Sequence, residues 1–368
     1  MITGYAQEDA KISFVTSPWV DTMSTDNKQI LHVLDQFLNS KNQHYLENDY
    51  WVSSDFVRFK YPFYEIIGIE YNRNRDIVKE TNIMEIYDIS ENEKLIKIGY
   101  LEPDSVTNTT TIFIVYNIIA TKESGKWKFK RAVDYITRDW QKVQKGSILY
   151  YLPQGKTPNE KEMKVQLEDI KQICTFFGTS SLDITFYSCN SPKQVFVVKG
   201  FDYHPSMFIS KTGGMAADGN IIYSGNNSEL YTHEIVHIYI KNLYPKIPSI
   251  LNEGIATYFG GSGKHDYSWH RENFSNYMDT AQLDLSAHLQ PFERLYINNE
   301  TPIPYMIGAL ICERTYRVYG KEGLLKLFNS DFKLWTLLKE VGLNKENLTT
   351  ELKKELKLLP TNPIFNAR

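Results

Sequence analysis

The spacing of hydrophobic and polar positions divides this chain of 368 residues into two regions. In the first, apolar residues between positions 27 and 38 recur every three or four positions, which predicts an amphipathic helix. Alternating stretches follow and predict strands at 57–69, 83–89, 94–101, 109–120 and 127–136. A helix followed by a run of strands predicts an α+β domain over residues 27–150, preceded by an N-terminal extension at 1–26.

A polar segment rich in turn residues, 151–159, predicts a linker to a second domain at 160–368. Beyond it, helices are predicted at 160–177 and 191–198, and strands at 182–189 and 220–224. The remaining segments predict helices near 270–279, 304–319, 321–329, 333–342 and 345–359. The second domain is therefore expected to contain a small mixed sheet followed by a helical half.

Composition and charge exclude several classes of partner. The net charge of −3 provides no general attraction for nucleic acid. The longest apolar stretch, Ile112–Ala120, is much shorter than the roughly 20 residues of a membrane span and predicts a buried strand. Cys174, Cys189 and Cys312 are too few for a disulfide framework, so buried thiols are expected, with a Cys174–Cys189 disulfide as the alternative. Neither nucleic acid nor a membrane span is expected.

The segment His233-Glu234-Ile235-Val236-His237 has the composition of a metal-binding helix. Residues four apart lie one above the other on a helix, so His233 and His237 can reach the same ion. Glu234 is rotated away from both and is placed to act as a general base on water. Asn227 or Ser228 is the predicted N-cap, and Pro245 ends the helix.

A third ligand is needed for a catalytic zinc site, which has three protein ligands and one open position. Glu253 is the candidate. It lies in the first turns of a second predicted helix, which Ser249 can cap and which Gly260 and Gly261 end. The small Gly254 in that helix allows a close approach of another helix. An alternative interpretation is that the two histidines and Glu253 are ordinary helical residues without a metal.

These residues resemble the gluzincin zinc metallopeptidases of the peptidase MA-like group, whose pattern is HExxH, a spacer and a glutamate often found within NEGxAxY. Here Leu251–Phe259 reads LNEGIATYF, and Pro304–Phe328 is similar to a later helix of that group, so the resemblance covers about residues 160–358. It implies Zn²⁺ on His233, His237 and Glu253, a peptide or protein substrate, and hydrolysis with Glu234 as general base.

The resemblance also implies a hydrogen-bond donor to the developing oxyanion and an edge strand beside the metal. Tyr305, Tyr258, His265 and His270 are the candidate donors, and Tyr305 is preferred because it begins the helix that would close the site. Residues 220–223 are the predicted edge strand. Aminopeptidase gluzincins carry GxMEN before the zinc helix, whereas residues 213–220 read GGMAADGN without that glutamate. This departure favours an endopeptidase.

Two predictions concern the N-terminal part of the chain. The order of helix and strands in residues 27–150 resembles the cone of the nuclear transport factor 2-like fold, with a curved antiparallel sheet. Gly4-Tyr5-Ala6-Gln7 resembles the end of a secretory signal peptide, which would place the protein in the periplasm or outside the cell. If residues 1–7 are an ordinary terminus, the protein is expected in the cytoplasm.

Two other functions compete with the peptidase prediction. The chain could be a catalytically retired peptidase-like protein that binds a peptide or glycan, or a zinc hydrolase of a non-peptide amide. The presence of Glu234 favours an active enzyme over a retired one.

Overall fold

The computed structural model describes residues 11–104, 106–328 and 333–364, and it shows an α+β protein, as predicted. The chain forms two compact units. One contains the residues up to Trp140 together with Pro192–Lys211, and the other contains Gln141–Ser191 and the residues from Thr212 onward. The predicted signal-peptide remnant, residues 1–7, lies outside the described residues.

The helices and strands are numbered along the chain. The helices are α1 Thr25–Ser40, α2 Ser53–Phe59, α3 Val133–Ile136, α4 Glu160–Phe177, α5 Pro192–Val198, α6 Thr232–Leu243, α7 Ser249–Gly260, α8 Tyr267–Thr280, α9 Ile303–Phe328, α10 Leu334–Glu340 and α11 Leu348–Leu356. The strands are β1 Phe14–Thr16, β2 Glu80–Ser90, β3 Glu93–Asp104, β4 Thr109–Glu123, β5 Lys126–Arg131, β6 Gln141–Lys145, β7 Ile148–Leu152, β8 Ile184–Ser188, β9 Phe201–Tyr203, β10 Gly214–Ala217, β11 Ile221–Ser224, β12 Tyr296–Ile297 and β13 Thr301–Pro302. Single turns of 3-10 helix occur at Tyr64–Ile66, Pro205–Phe208 and Leu285–Ala287.

The first unit packs α1 against a largely antiparallel sheet. Its strands run in the order β1-β2-β3-β4-β5, with β9 paired to β4 and only the β1–β2 pair parallel. Ile30, Leu34 and Phe37 form the buried stripe of α1, at the helical spacing that predicted it. The predicted combination of an N-terminal helix and an antiparallel sheet is therefore confirmed.

Two predicted strands of this unit are wrong in whole or in part. The strand expected at 57–69 is absent, because residues 53–59 form α2 and residues 64–66 form a 3-10 turn. Phe56, Phe59 and Phe63 are spaced three and four apart and suit a helical period as well as a strand. The strand expected at 127–136 ends at Arg131, and α3 follows it.

The second unit contains a five-stranded mixed sheet in the order β10-β11-β8-β7-β6. The three central strands are parallel, and the outer strands β10 and β6 run antiparallel to their neighbours. One face of the sheet places Tyr150, Phe186 and Ile222 in a core with helices α4, α6, α7 and α9. The predicted mixed sheet with a helical half is therefore confirmed.

The division between the units differs from the predicted one at residue 150 with a linker at 151–159. Strand β6 pairs with β7 and β7 pairs with β8, so both belong to the second sheet, while residues 192–211 return to the first unit. No strand was predicted at 141–152, and the partner that places these two strands in the second sheet, β8, lies more than 30 residues further along the chain.

The edge strand also differs from the prediction at 220–223. Strand β11 lies inside the sheet between β8 and β10, so the antiparallel edge is β10. The stretch 213–220 therefore contains the edge strand and a turn, in which Gly219 and Asn220 have positive φ angles of 76° and 55°. No strand was predicted at 214–217 because its sequence, GMAA, lacks the β-branched and aromatic residues that are common in strands.

Two expectations drawn from composition can be compared with the structure. All three cysteines are free thiols, so the alternative of a Cys174–Cys189 disulfide is wrong. Cys189 and Cys312 are buried and Cys174 is partly buried. Among the described residues, none of the helices combines the length and the apolar character needed to cross a bilayer.

Candidate metal site

The three predicted ligands meet where α6 and α7 pack together. The Nε2 atoms of His233 and His237 are 3.1 Å apart, and each lies 3.4 Å from Oε2 of Glu253. Among the described residues, this is the group of three ligand side chains close enough to hold one metal ion. The helical spacing of four residues and the second-helix position of Glu253 bring the donors together.

Both imidazole rings are oriented by their second nitrogen. His233 Nδ1 lies 2.7 Å from the Gly261 carbonyl oxygen, and His237 Nδ1 lies 3.0 Å from Oδ1 of Asn252. Each oxygen accepts a hydrogen bond, so Nδ1 carries the proton in the neutral ring and Nε2 keeps its lone pair. This is the tautomer that a metal ion requires from a histidine that binds through Nε2.

The N-terminus of α6 is held by polar side chains of α4. The helix begins at Thr232 with Tyr231 as N-cap, and Tyr231 makes no side-chain cap. The predicted N-caps Asn227 and Ser228 are therefore wrong. Gln166 instead accepts the Tyr231 backbone N–H at 2.6 Å, and Asp169 accepts the Thr232 hydroxyl. Gln166 thus satisfies one backbone N–H at the start of α6, and Asp169 holds the Thr232 side chain.

The residues of α4 that perform this task were not identified from the sequence. Glu162, Gln166 and Asp169 occupy positions i, i+4 and i+7 of the helix and therefore lie on one face. Glu162 accepts the Glu229 backbone N–H at 2.8 Å, while Gln166 and Asp169 are almost fully buried. The sequence pattern that could have identified them is a polar stripe on the buried side of this amphipathic helix.

Glycines allow the helices of the site to touch through their backbones. A Cβ atom on Gly254 of α7 would lie 2.3 Å from the carbonyl carbon of Gly308 in α9, and one on Gly308 would lie 2.3 Å from the Ile250 oxygen. Similarly, a Cβ on Gly260 would lie 2.3 Å from the His233 nitrogen. The close approach expected of Gly254 is therefore present, and it brings Glu253 to α6 and α9.

Glu234 lies at the edge of the sheet, beside the ligand cluster. Its Oε2 accepts the Ala216 backbone N–H of β10 at 2.7 Å, and it also forms a side-chain hydrogen bond with Tyr231. The side chain is only 6% exposed. As predicted from the 100° rotation per residue, Glu234 is not one of the three clustered ligands.

The charges of the cluster are strongly coupled. Burial alone raises the pKa of Glu253, but hydrogen bonds from His233 and His237 outweigh burial and hold that pKa well below its usual value. Burial alone lowers the pKa of His237, but the Glu253 carboxylate outweighs it and raises the pKa to about 9. Without a metal, the site therefore contains a carboxylate paired with a protonated imidazole at neutral pH.

Of the four candidate oxyanion donors, the structure brings Tyr305 to the cluster. Its ring stacks on His233 with a centroid distance of 6.0 Å, and its hydroxyl faces the Glu253 carboxylate. Burial, followed by the Glu253 charge, raises the pKa of Tyr305. The phenol is therefore a protonated donor at neutral pH.

The other three candidates are engaged elsewhere. Tyr258 donates its hydroxyl to the Thr361 carbonyl at 2.5 Å. His265 stacks on Trp269 at 3.7 Å and pairs with Glu300. Both ring nitrogens of the buried His270 are occupied, one by the Thr301 hydroxyl and the other by the Ser262 carbonyl. The contacts of Tyr258 and His270 stabilise the fold around the site.

The donor set fits a small divalent ion with tetrahedral preference. Ligand atoms about 2.0–2.1 Å from such an ion lie roughly 3.3 Å apart, and the separations here are 3.1 and 3.4 Å. Two imidazoles and one carboxylate are ligands that zinc accepts, and other first-row metals accept them as well. The three residues leave room in the coordination sphere for a fourth, non-protein ligand.

No protein-family model matches this chain, and no curated protein matches it. The resemblances to gluzincins and to the nuclear transport factor 2-like cone therefore stay predictions drawn from motifs and element order.

Proposed function

We propose that this protein is a zinc-dependent peptide hydrolase in which His233, His237 and Glu253 hold the metal. The observation that supports it is the convergence of two Nε2 lone pairs and one carboxylate oxygen within 3.4 Å of one another, with Glu234 beside them. Ordinary helical residues would need neither the Nδ1 acceptors nor the backbone contacts of Gly254 and Gly260.

Bound zinc would act as a Lewis acid and would make water nucleophilic at neutral pH. In this proposal Glu234 accepts a proton from the attacking water and returns it to the leaving amine of the peptide. The hydroxyl of Tyr305, protonated at neutral pH, donates a hydrogen bond to the carbonyl oxygen as negative charge develops on it. Asn252 and the Gly261 carbonyl keep the two imidazoles in the required tautomer.

The edge strand favours cleavage within a peptide chain. Strand β10 is antiparallel to β11 and lies at the end of the described sheet, so an extended substrate can add to it through backbone groups of its outer edge other than the Ala216 N–H, which donates to Glu234. Residues 214–217 present only small or apolar side chains, GMAA, and no carboxylate that would bind a substrate amino terminus. An endopeptidase therefore suits this strand better than an aminopeptidase.

Other parts of the proposal follow from the same motifs. Membership of the gluzincin, peptidase MA-like group is proposed for residues 160–358, and a nuclear transport factor 2-like cone fold for residues 27–150. An exported location is proposed only because the sequence Gly4–Gln7 resembles the end of a secretory signal peptide.

The first experiment measures zinc and cleavage in the same preparations. Purified protein is expected to contain about one zinc per chain by elemental analysis, as a three-ligand site requires. Glu234→Gln is expected to keep the metal and to lose cleavage of a fluorescence-quenched peptide library, because the amide cannot accept the proton. Glu272→Gln, an exposed residue of α8, is the matched control and is expected to remain active.

The outcomes separate the possible functions. Full activity of Glu234→Gln would exclude the proposed role of the base, and the absence of metal from the unmutated protein would exclude the site. Zinc without cleavage of any peptide would favour the two alternatives, a peptide- or glycan-binding protein or a hydrolase of a non-peptide amide. Binding and hydrolysis assays with glycans and simple amides then distinguish these two.

A further inference from the structure

The Glu234 carboxylate is the terminal group of a hydrogen-bond network that spans the edge strand and the start of α6. Ala216 donates its backbone N–H to Glu234 Oε2 at 2.7 Å. The Tyr231 hydroxyl faces both Glu234 and Asn226. Asn226 Oδ1 in turn accepts the Gly213 N–H at 2.7 Å. The buried carboxylate thus accepts one backbone donor and has the phenol of Tyr231 beside it.

The directions of these bonds follow from their chemistry. An ionised carboxylate only accepts hydrogen bonds, so the Tyr231 hydroxyl donates to Glu234. Because Asn226 uses Oδ1 for Gly213, its Nδ2 is the atom that donates to the Tyr231 oxygen.

Tyr231 itself is fixed at both ends. Its backbone N–H donates to Gln166 Oε1 at 2.6 Å, and its side chain is oriented by Asn226. Its ring passes beneath the edge strand, where a Cβ atom on Gly214 would lie 2.8 Å from Tyr231 Cε1. A side chain with so little freedom can define the position of the group that it contacts.

The sheet register explains why Ala216 is available to Glu234. In an antiparallel pair, every second residue points its N–H and C=O toward the neighbouring strand. The Gly225 N–H bonds the Gly213 oxygen, so Met215 and Ala217 face β11 while Gly214 and Ala216 face the free edge. The Ala216 N–H is therefore an edge donor, and Glu234 is its acceptor.

We propose that Tyr231 is a positioning residue for Glu234, whose carboxylate it holds against the Ala216 N–H at the free edge of β10. This inference rests on the proposed function, because it gives Glu234 the role of general base. It places no substrate contact on Tyr231. A misplaced base lowers the rate of proton transfer and leaves metal binding intact, since Tyr231→Phe keeps the ring that stacks on His233 at a centroid distance of 6.4 Å and removes only the hydroxyl.

The test is Tyr231→Phe, with Tyr239→Phe as the matched control. Tyr239 is a buried tyrosine of the same helix, and its hydroxyl accepts the Leu182 N–H at 3.1 Å and lies 3.4 Å from the Cys174 thiol. Tyr231, the N-cap of α6, and Tyr239, within α6, each lose one buried phenol hydroxyl in these variants, but only Tyr231→Phe changes the surroundings of Glu234. Glu234→Ala removes the acceptor of Ala216 and is the positive control.

The first measurement does not depend on activity. Amide hydrogen exchange of the zinc-loaded protein, labelled with ¹⁵N-alanine, compares Ala216, whose N–H bonds Glu234, with Ala217, whose N–H faces β11. In Tyr231→Phe we expect Ala216 to exchange at least roughly tenfold faster, with Ala217 unchanged. In Tyr239→Phe we expect the exchange rates of Ala216 and Ala217 to equal those of the unmutated protein, after correction for any change in global stability.

The second measurement is the kinetics on the library peptide that the unmutated enzyme cleaves fastest. Tyr231→Phe is expected to lower kcat about 10-fold to 100-fold, with KM and zinc affinity unchanged within about twofold. Tyr239→Phe is expected to keep kcat. If the unmutated protein cleaves no peptide, the proposed function fails, while the exchange of Ala216 still decides the position of Glu234.

Two results would overturn the inference. One is a folded, zinc-loaded Tyr231→Phe protein in which the Ala216 exchange rate and kcat are unchanged. The other is loss of zinc from this variant, which would show that Tyr231 supports the whole helix that carries the two histidines and does not specifically position Glu234. Should Tyr231→Phe fail to fold, Asn226→Asp keeps the acceptor for Gly213 but removes the donor to Tyr231, and it is expected to speed Ala216 exchange in the same way.

Discussion

Replacing Gly254 by alanine tests whether the crossing of α7 and α9 places the third ligand. The added Cβ would lie 2.3, 2.5 and 2.7 Å from the carbonyl carbon, carbonyl oxygen and Cα of Gly308. All three atoms belong to the backbone, so no side chain can rotate away. Comfortable contact between carbon atoms needs about 3.5 Å or more, so the two helices must separate by about 1 Å.

Two opposing free-energy terms determine the effect on stability. Overpacking of a well-packed core costs about 1–3 kcal/mol, and a clash with backbone on both helices belongs at the upper end. Alanine favours the helix over glycine by about 1 kcal/mol, which offsets part of that cost. We therefore expect a net loss of about 2 kcal/mol in the free energy of unfolding, or a Tm lower by about 4–8 °C for a unit of this size.

The effect on the metal should exceed the effect on the fold. Glu253 is the neighbour of Gly254, and a shift of about 1 Å in its helix is several times the tolerance of about 0.2 Å for a metal–ligand distance. We expect zinc affinity to fall at least about tenfold. Competition with a chromogenic chelator measures that affinity, and thermal unfolding followed by circular dichroism measures the Tm.

A glycine in the other unit provides the control. A Cβ on Gly99 in β3 meets the flexible thioether of Met84 at 2.9 Å, so Gly99→Ala adds the same methyl group where a side chain can yield. This variant is expected to bind zinc as the unmutated protein does. A Gly254→Ala protein that binds zinc with unchanged affinity and unfolds at the same temperature would refute the argument that this crossing places Glu253.

Two further predictions concern His237. Asn252→Ala removes the acceptor of His237 Nδ1 and is expected to weaken zinc binding about 10-fold to 100-fold in the chelator assay, whereas Asn242→Ala at the end of α6 is expected to have no effect. Because Glu253 raises the pKa of His237 to about 9 in the metal-free protein, zinc binding at pH 7.5 should release close to one proton, measurable by calorimetry in buffers of different ionisation enthalpy. Apparent zinc affinity should accordingly rise with pH up to about 9. The stabilisation of the metal-free fold by this imidazole is complete below about pH 6.5 and is lost as the pH rises through about 9.

Local periodicity was sufficient to predict the helices of the candidate site and the three side chains that meet there. Helix α4 has the predicted bounds, Glu160–Phe177, because an apolar stripe and an N-cap at Asn159 occur within the segment itself. His233 and His237 were predictable for the same reason, since their separation is fixed by one turn of helix. To predict that Glu253 lies near the two histidines, it was enough to assume that its helix packs against α6.

Strand pairing and helix capping were not predictable in this way. The edge strand was assigned to 220–223 instead of β10, and residues 141–152, which form β6 and β7, were placed in the first domain and the linker without a strand being predicted there. Both errors concern which strand lies beside which, a property that the period of one strand does not contain. The cap of α6 likewise comes from α4, more than 60 residues earlier in the chain.

The geometry of the candidate site therefore depends on contacts between distant segments, whereas its chemistry depends on local motifs. HEIVH specifies two imidazoles and a carboxylate, but Gly260 permits the contact with His233, and Gly308 permits the contact that brings Glu253 near them. A helix with the same five residues but with alanine at these glycines would keep every ligand and misplace the donors. We therefore expect the backbone contacts at Gly260 and Gly308 to matter as much for the candidate site as the three side chains that meet there.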